Sequence, residues 1–136
     1  MFYGDSKLLS DCYDNIKRYV DYVNYKSPNG LTAWGRGDWV PVKSKSNIEL
    51  TSSIYFYVDA SILANAAKLF GKTDDYKYYS TLAEKIKNAI NKKYLNMETG
   101  IYASGTQTEQ SMPLQWGVVP KDMKAKCNPV SYTHLT

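Results

Sequence analysis

TSSIYFYVDASILANAAKLF, residues Thr51 to Phe70, is apolar on nearly every side of a helical wheel, with Asp59 and Lys68 its only charges. A helix of that composition is enclosed by other helices rather than laid on a surface. Its neighbours read differently. Upstream, from Asp5 to about Lys26, apolar residues fall at Leu8, Leu9, Cys12, Tyr13, Ile16, Tyr19, Val20 and Val23, the three-and-four spacing of a helix with one buried face. Asp5 or Ser6 is its expected cap, and Ser27-Pro28-Asn29-Gly30 stops it. Downstream, Gly71 closes the enclosed helix, and Thr73 with Asp74 and Asp75 opens a third by capping and by placing acids at the positive end of its dipole. That helix carries a stripe of Tyr76, Tyr79, Leu82, Ala83, Ile86, Ala89, Ile90 and Tyr94, opposed by a lysine-rich face. Asn96 to Gly100 is a turn, and Thr106-x-x-Glu109 is a capping box leading into a fourth, apolar segment around Met112, Leu114 and Trp116. A short helix follows Pro120 and breaks off after Lys126.

The order is therefore half-exposed, enclosed, half-exposed, enclosed. It predicts an all-α chain of antiparallel helices in an inner and an outer layer, a toroid or superhelix rather than a four-helix bundle. Connections into inner helices emerge at one end of such an array. The long loop Leu31 to Thr51, LTAWGRGDWVPVKSKSNIELT, and the turn Tyr102 to Gln107 are thus expected on a shared rim. Loops of this length in a compact domain tend to be functional. At its centre Asp38 precedes Trp39, a directional acceptor beside a flat apolar ring, which suits a sugar. Packing of Trp39 beneath the loop and turn-capping by Asp38 is the equal alternative. Gln107, following the bend at Gly105, is a third candidate for the rim, whereas Trp34 and Trp116 read as packing. Glu49 and Glu109 each stand three residues after a Ser or Thr and read as capping acids.

The 136 residues allow one domain at most. A net charge of +4 is spread over 17 basic and 13 acidic residues without a polybasic run, so nucleic acid and membrane surfaces are not the expected partners. Thirteen tyrosines and three tryptophans suit carbohydrate recognition and equally a helical core. Cys12 and Cys127 form no disulfide framework, and Cys12 reads as a buried thiol. His134 alone cannot support a triad distributed through the chain, and phosphate-binding glycines, metal-ligand clusters and Rossmann patterns are missing, so no cofactor or metal is implied. Carboxylate chemistry remains, but glycoside hydrolysis needs an acid and an opposed second carboxylate, and this chain offers Asp38 and two caps. No export signal or apolar run long enough to span a bilayer is present, and compartment stays unassigned.

GDWVP at Gly37 to Pro41, ELTSS at Glu49 to Ser53, YVDASILANAAKLFGK at Tyr57 to Lys72, GIYASGTQT at Gly100 to Thr108 and LQWGVVP at Leu114 to Pro120 together resemble the catalytic domain of bacterial α-L-rhamnosidases. The resemblance covers residues 1–126. It implies an (α/α)6 toroid, of which this chain supplies roughly four of twelve helices, inverting hydrolysis of terminal α-L-rhamnose, and a sugar pocket to which the GDW loop contributes Asp38 and Trp39, with Gln107 beside them. The family's general acid lies in an upstream acidic stretch and its general base far downstream, so neither is expected within these residues. Met1 is then an internal starting point. CNPVSYTHLT, 127–136, departs from the family and reads as a translated non-native tail. Two alternatives keep part of this pattern: a tetratricopeptide-like scaffold, since residues 60–94 resemble one helix-turn-helix repeat, and a toroidal glycosidase of other specificity.

Overall fold

A computed structural model describes residues 6–38 and 45–133, with side chains to residue 128. Five α-helices run in the order α1 (Lys7–Lys26), α2 (Ile48–Leu69), α3 (Thr73–Tyr94), α4 (Gln107–Gln115) and α5 (Lys124–Thr133), with a 3-10 turn at Lys121–Met123 leading into the last. The all-α expectation holds, and the described residues contain no strand beyond an isolated antiparallel bridge between Leu95 and Tyr102.

The centre of the core is α2. Leu50, Ile54, Ala60 and Ala67 have no exposed surface, and Leu63 is almost equally sealed. Each buried leucine or isoleucine contributes about 1.5–3 kcal/mol relative to exposure. From α3 come Tyr79, Leu82, Ala83, Ile86 and Ile90, the stripe expected from the sequence, and from α1 Tyr13, Val20 and Val23. Small residues at Ala60, Ala64 and Ala67 let neighbouring helices approach α2 closely.

Enclosure of α2 is nevertheless incomplete. Ile48, Tyr55, Ile62 and Leu69 are 44–56% exposed and recur every seven residues, so they form one partly exposed stripe along the helix. Ile62 and Leu69 are on the surface although the composition of α2 predicts them inside. Three further expectations of burial fail on α1: Leu8 and Tyr19 are exposed and Cys12 is half-buried.

Helix ends follow local chemistry, with corrections. α2 is capped by Asn47, whose side chain accepts from the Leu50 N–H at 3.0 Å, and not through a Ser46/Glu49 box; Glu49 instead pairs with Lys93 of α3. Ser6 precedes α1 and Lys72 precedes α3, neither giving a side-chain cap, and Thr73 lies within the helix it was expected to cap. The Thr106/Glu109 box before α4 is present as read. The helical pattern does not stop at Cys127: α5 continues through it to Thr133, and Cys127 is buried in the core.

Candidate functional site

The loop after α1 is stapled onto α2. The backbone N–H of Thr32 donates to the Ser53 hydroxyl at 2.9 Å, and that hydroxyl donates back to the Thr32 carbonyl at 3.3 Å. Three residues on, Gly35 lies so close to Ser52 that a Cβ there would stand 2.3 Å from its Oγ; only glycine fits without displacing that hydroxyl. The chain between these contacts carries Trp34 outward, 61% exposed, with its ring 5.4 Å from that of Tyr22 on α1.

At the other end of the loop Asp38 accepts the Ser46 backbone N–H at 2.7 Å, joining the two sides of a stretch whose middle, including Trp39, lies outside the described residues. Hydrogen bonds from the Ser46 side chain and backbone, and from the Thr108 side chain, hold the Asp38 carboxyl below the usual carboxylate range, against a smaller opposing effect of burial. Asp38 is therefore ionised at neutral pH, and a carboxylate has lone pairs beyond those bonds.

The loop and the turn before α4 do share a rim. The Ser46 and Thr106 hydroxyls lie 2.9 Å apart, and Glu109 accepts the Asn47 N–H at 2.8 Å. Glu109, 1% exposed, also accepts the Ser104 N–H and hydroxyl and the Thr106 N–H at 2.8–3.0 Å. Left-handed backbone at Ala103 and Gly105 turns the chain sharply enough for these donors to face one carboxylate. Burial pushes the Glu109 carboxyl up, but the Asn47 and Thr106 amides and the Ser104 and Thr106 hydroxyls outweigh it and bring it below the usual glutamate range.

Between loop, α1 and α2 lies a cavity of about 510 Å³. Asp38 and Thr108 line one part of it, Asp59 and Tyr19 another, with Trp34 and Tyr55 also in its wall. Burial raises the Asp59 carboxyl above its ordinary value. Gln107 opens α4 exposed on the same rim, between Thr106 and Thr108, but outside the cavity lining. Asp38, a candidate from the sequence, lines this cavity, and three residues that line it with Asp38 were not candidates. Trp34 read as packing, Asp59 as one polar position in an apolar helix, and Thr108 carried no signal of its own; only the two-turn offset of Asp59 from Ser52 on one face of α2 was available to hint at a shared wall. Trp116, also read as packing, is 42% exposed. Among the described residues no helix is long and apolar enough to cross a membrane, and no group of three or more His, Cys, Asp or Glu is placed to hold a metal ion.

Residues 1–133 match the bacterial α-L-rhamnosidase 6 hairpin glycosidase domain. The chain belongs to that family. Its architecture is accordingly a part of the six-hairpin helical toroid; α4, expected to be enclosed, is so only at Glu109, Gln110 and Pro113. The α-L-rhamnosidase of Formosa agariphila is 32% identical over 139 aligned residues, 90% of this chain and 14% of that protein. The solved α-L-rhamnosidase of Dictyoglumus thermophilum superposes with a TM-score of 0.88 at 37% identity, over 98% of this chain and 16% of that one. The Streptomyces avermitilis α-L-rhamnosidase, solved in complex with L-rhamnose, gives 0.89 at 25% identity over 96% of this chain and 12% of that one. This rhamnosidase-family segment thus spans about one-seventh of the length of such relatives.

Proposed function

We propose that the protein carrying this segment hydrolyses terminal α-L-rhamnose with inversion, and that the GDW loop contributes to the sugar pocket. The observation that carries the reading is Asp38, ionised and fixed by Ser46 and Thr108 at the wall of a cavity flanked by aromatic rings, in a chain of the rhamnosidase family. A carboxylate so held accepts hydrogen bonds from sugar hydroxyls, Trp39 lays its ring against the sugar's apolar face, and Gln107 offers an amide from the same rim. Inversion requires a protonated acid at the leaving oxygen and a base on water across the ring, two groups about 6.5–9.5 Å apart. No residue of this segment is assigned either task; Asp38, Trp39 and Gln107 bind and orient.

The test is made in the full-length protein with an aryl α-L-rhamnoside. Trp39→Ala is expected to lower kcat/KM by about tenfold or more through lost ring contact, and Asp38→Asn to impair turnover, both with the fold retained. The first-formed product, followed by NMR, is expected to be the β-anomer of L-rhamnose. Wild-type kcat/KM in both variants would make the loop structural, and an α-anomer formed first would exclude inversion.

A further inference from the structure

Two hydroxyls stand between the cavity and the start of α4. The Ser46 hydroxyl is hydrogen-bonded to Asp38 and lies 2.9 Å from the Thr106 hydroxyl, and the Glu109 backbone N–H, in the first turn of α4, donates to Thr106 Oγ1 at 3.4 Å. Ser46 is 4% exposed and Thr106 half-buried, so the row is largely withdrawn from water.

Proton counting gives the row a direction. Asp38 is ionised and only accepts, so the single Ser46 proton goes to it. The Ser46–Thr106 contact then needs the Thr106 proton. The Glu109 carboxylate is also within reach of the Thr106 hydroxyl, but it already accepts from four other donors, about as many as its lone pairs serve. Ser46 Oγ, which has given its proton away, is the open acceptor. The row therefore runs one way, from the Glu109 amide through Thr106 and Ser46 to Asp38. Each donor polarises the next, and a start at the positive end of α4 favours negative charge at the far end.

Asp38 also accepts the Ser46 N–H at 2.7 Å and the Thr108 hydroxyl. The protein thus fills three of roughly four acceptor sites on the carboxylate, leaving a sugar hydroxyl one direction of approach rather than a choice of several. Asp38 and Thr108 line the cavity, whereas Ser46 and Thr106 do not.

We propose that Ser46 and Thr106 are positioning residues for the rhamnosyl ring: their hydroxyls, aligned from the N-terminus of α4, aim the remaining acceptor of Asp38 into the cavity. This rests on the reading of Asp38 as a sugar acceptor and adds the residues that orient it.

The test compares variants of the full-length protein on an aryl α-L-rhamnoside. Ser46→Ala and Thr106→Val should each lower kcat/KM about fivefold, the scale of one net hydrogen bond, and Thr106→Ser should stay within about twofold of wild type. Ser46→Ala and Thr106→Val combined should lose little more than either alone, because both break the same row. Thr106→Val also removes the cap of α4, whereas Ser46→Ala leaves the caps of α2 and α4 in place. Melting temperature should therefore drop in the first and hardly in the second, while the two activities fall alike. Activity that follows melting temperature, losses that multiply in the double variant, or wild-type kcat/KM in Ser46→Ala would each overturn the relay and leave Thr106 a cap alone. Wild-type kcat/KM in Asp38→Asn, or no rhamnoside turnover by the wild-type protein, overturns the sugar role of Asp38 and this proposal with it.

Discussion

Glu109 organises the rim from beneath. Four donors from three residues converge on one buried carboxylate, including the Asn47 amide from the far side of the long loop. Glu109→Ala would remove the one acceptor shared by these part-buried bonds and should destabilise the full-length protein by about 2 kcal/mol. Glu109→Gln keeps one carbonyl oxygen and should cost clearly less. The carboxyl titrates below its ordinary value in the folded chain. Its contribution is therefore complete above the unfolded-state pKa and is lost as pH falls through the lower folded value, so wild type should weaken in acid and Glu109→Gln should flatten that limb. Thermal melts of both proteins from neutral to acid pH check the sign; parallel curves would remove Glu109 from the acid response. Glu109 was legible in the sequence because a capping box has fixed spacing. That it also binds Asn47, 62 residues away, was not, since a box specifies only its own turn.

Among the helices, the join between α1 and α3 is made by long polar side chains. The Tyr13 hydroxyl and the Lys17 ammonium both donate to Asp75 at 2.8 Å, the Tyr79 hydroxyl donates to Asp21 at 2.7 Å, and the Asn24 amide to the Tyr78 hydroxyl at 3.2 Å. Hydrogen bonds from Lys17 and then Tyr13 hold the Asp75 carboxyl low. Asp75→Asn should cost about 1 kcal/mol, the scale of a partly exposed pair, and Tyr13→Phe a similar amount for the buried phenol. The double variant should cost less than the sum, because the two donors share one acceptor. Denaturant melts of the three proteins decide it, and strict additivity would separate the contacts. For α2, Asn47→Ala should cost about 1 kcal/mol, whereas Ser46 holds the loop rather than the helix. Helix existence and the face buried by α3 were readable from apolar spacing. The starts of α2 and α3 were not, because Ser46 and Asn47, and Lys72 and Thr73, are competing starts one residue apart, and the loop contacts of Ser46 decide the first pair.

At the scale of the molecule, Ile62 and Leu69 leave an apolar part of α2 uncovered by the described residues, and further helices of a toroid would pack there. The 136-residue chain made alone should therefore associate or unfold partially, since an apolar face on an inner helix is poorly tolerated in a monomer. Sedimentation checks this, and Ile62→Lys with Leu69→Lys should shift the material towards monomer. Nitrophenol release from an α-L-rhamnoside by a cooperatively melting monomer would show that the catalytic carboxylates lie within these residues. The two-layer order was legible because the apolar pattern alternates between one-sided and all-round. Which residues of the enclosed helix stay bare was not, since composition records what a helix is suited to meet rather than what is beside it. The carboxylate of Glu109 has a consequence in time as well. Amides of Asn47, Ser104 and Thr106, distant along the chain, are released by the same event, the withdrawal of one side chain. They should exchange with solvent deuterium at matching rates, as one opening unit that joins the entrances of α2 and α4.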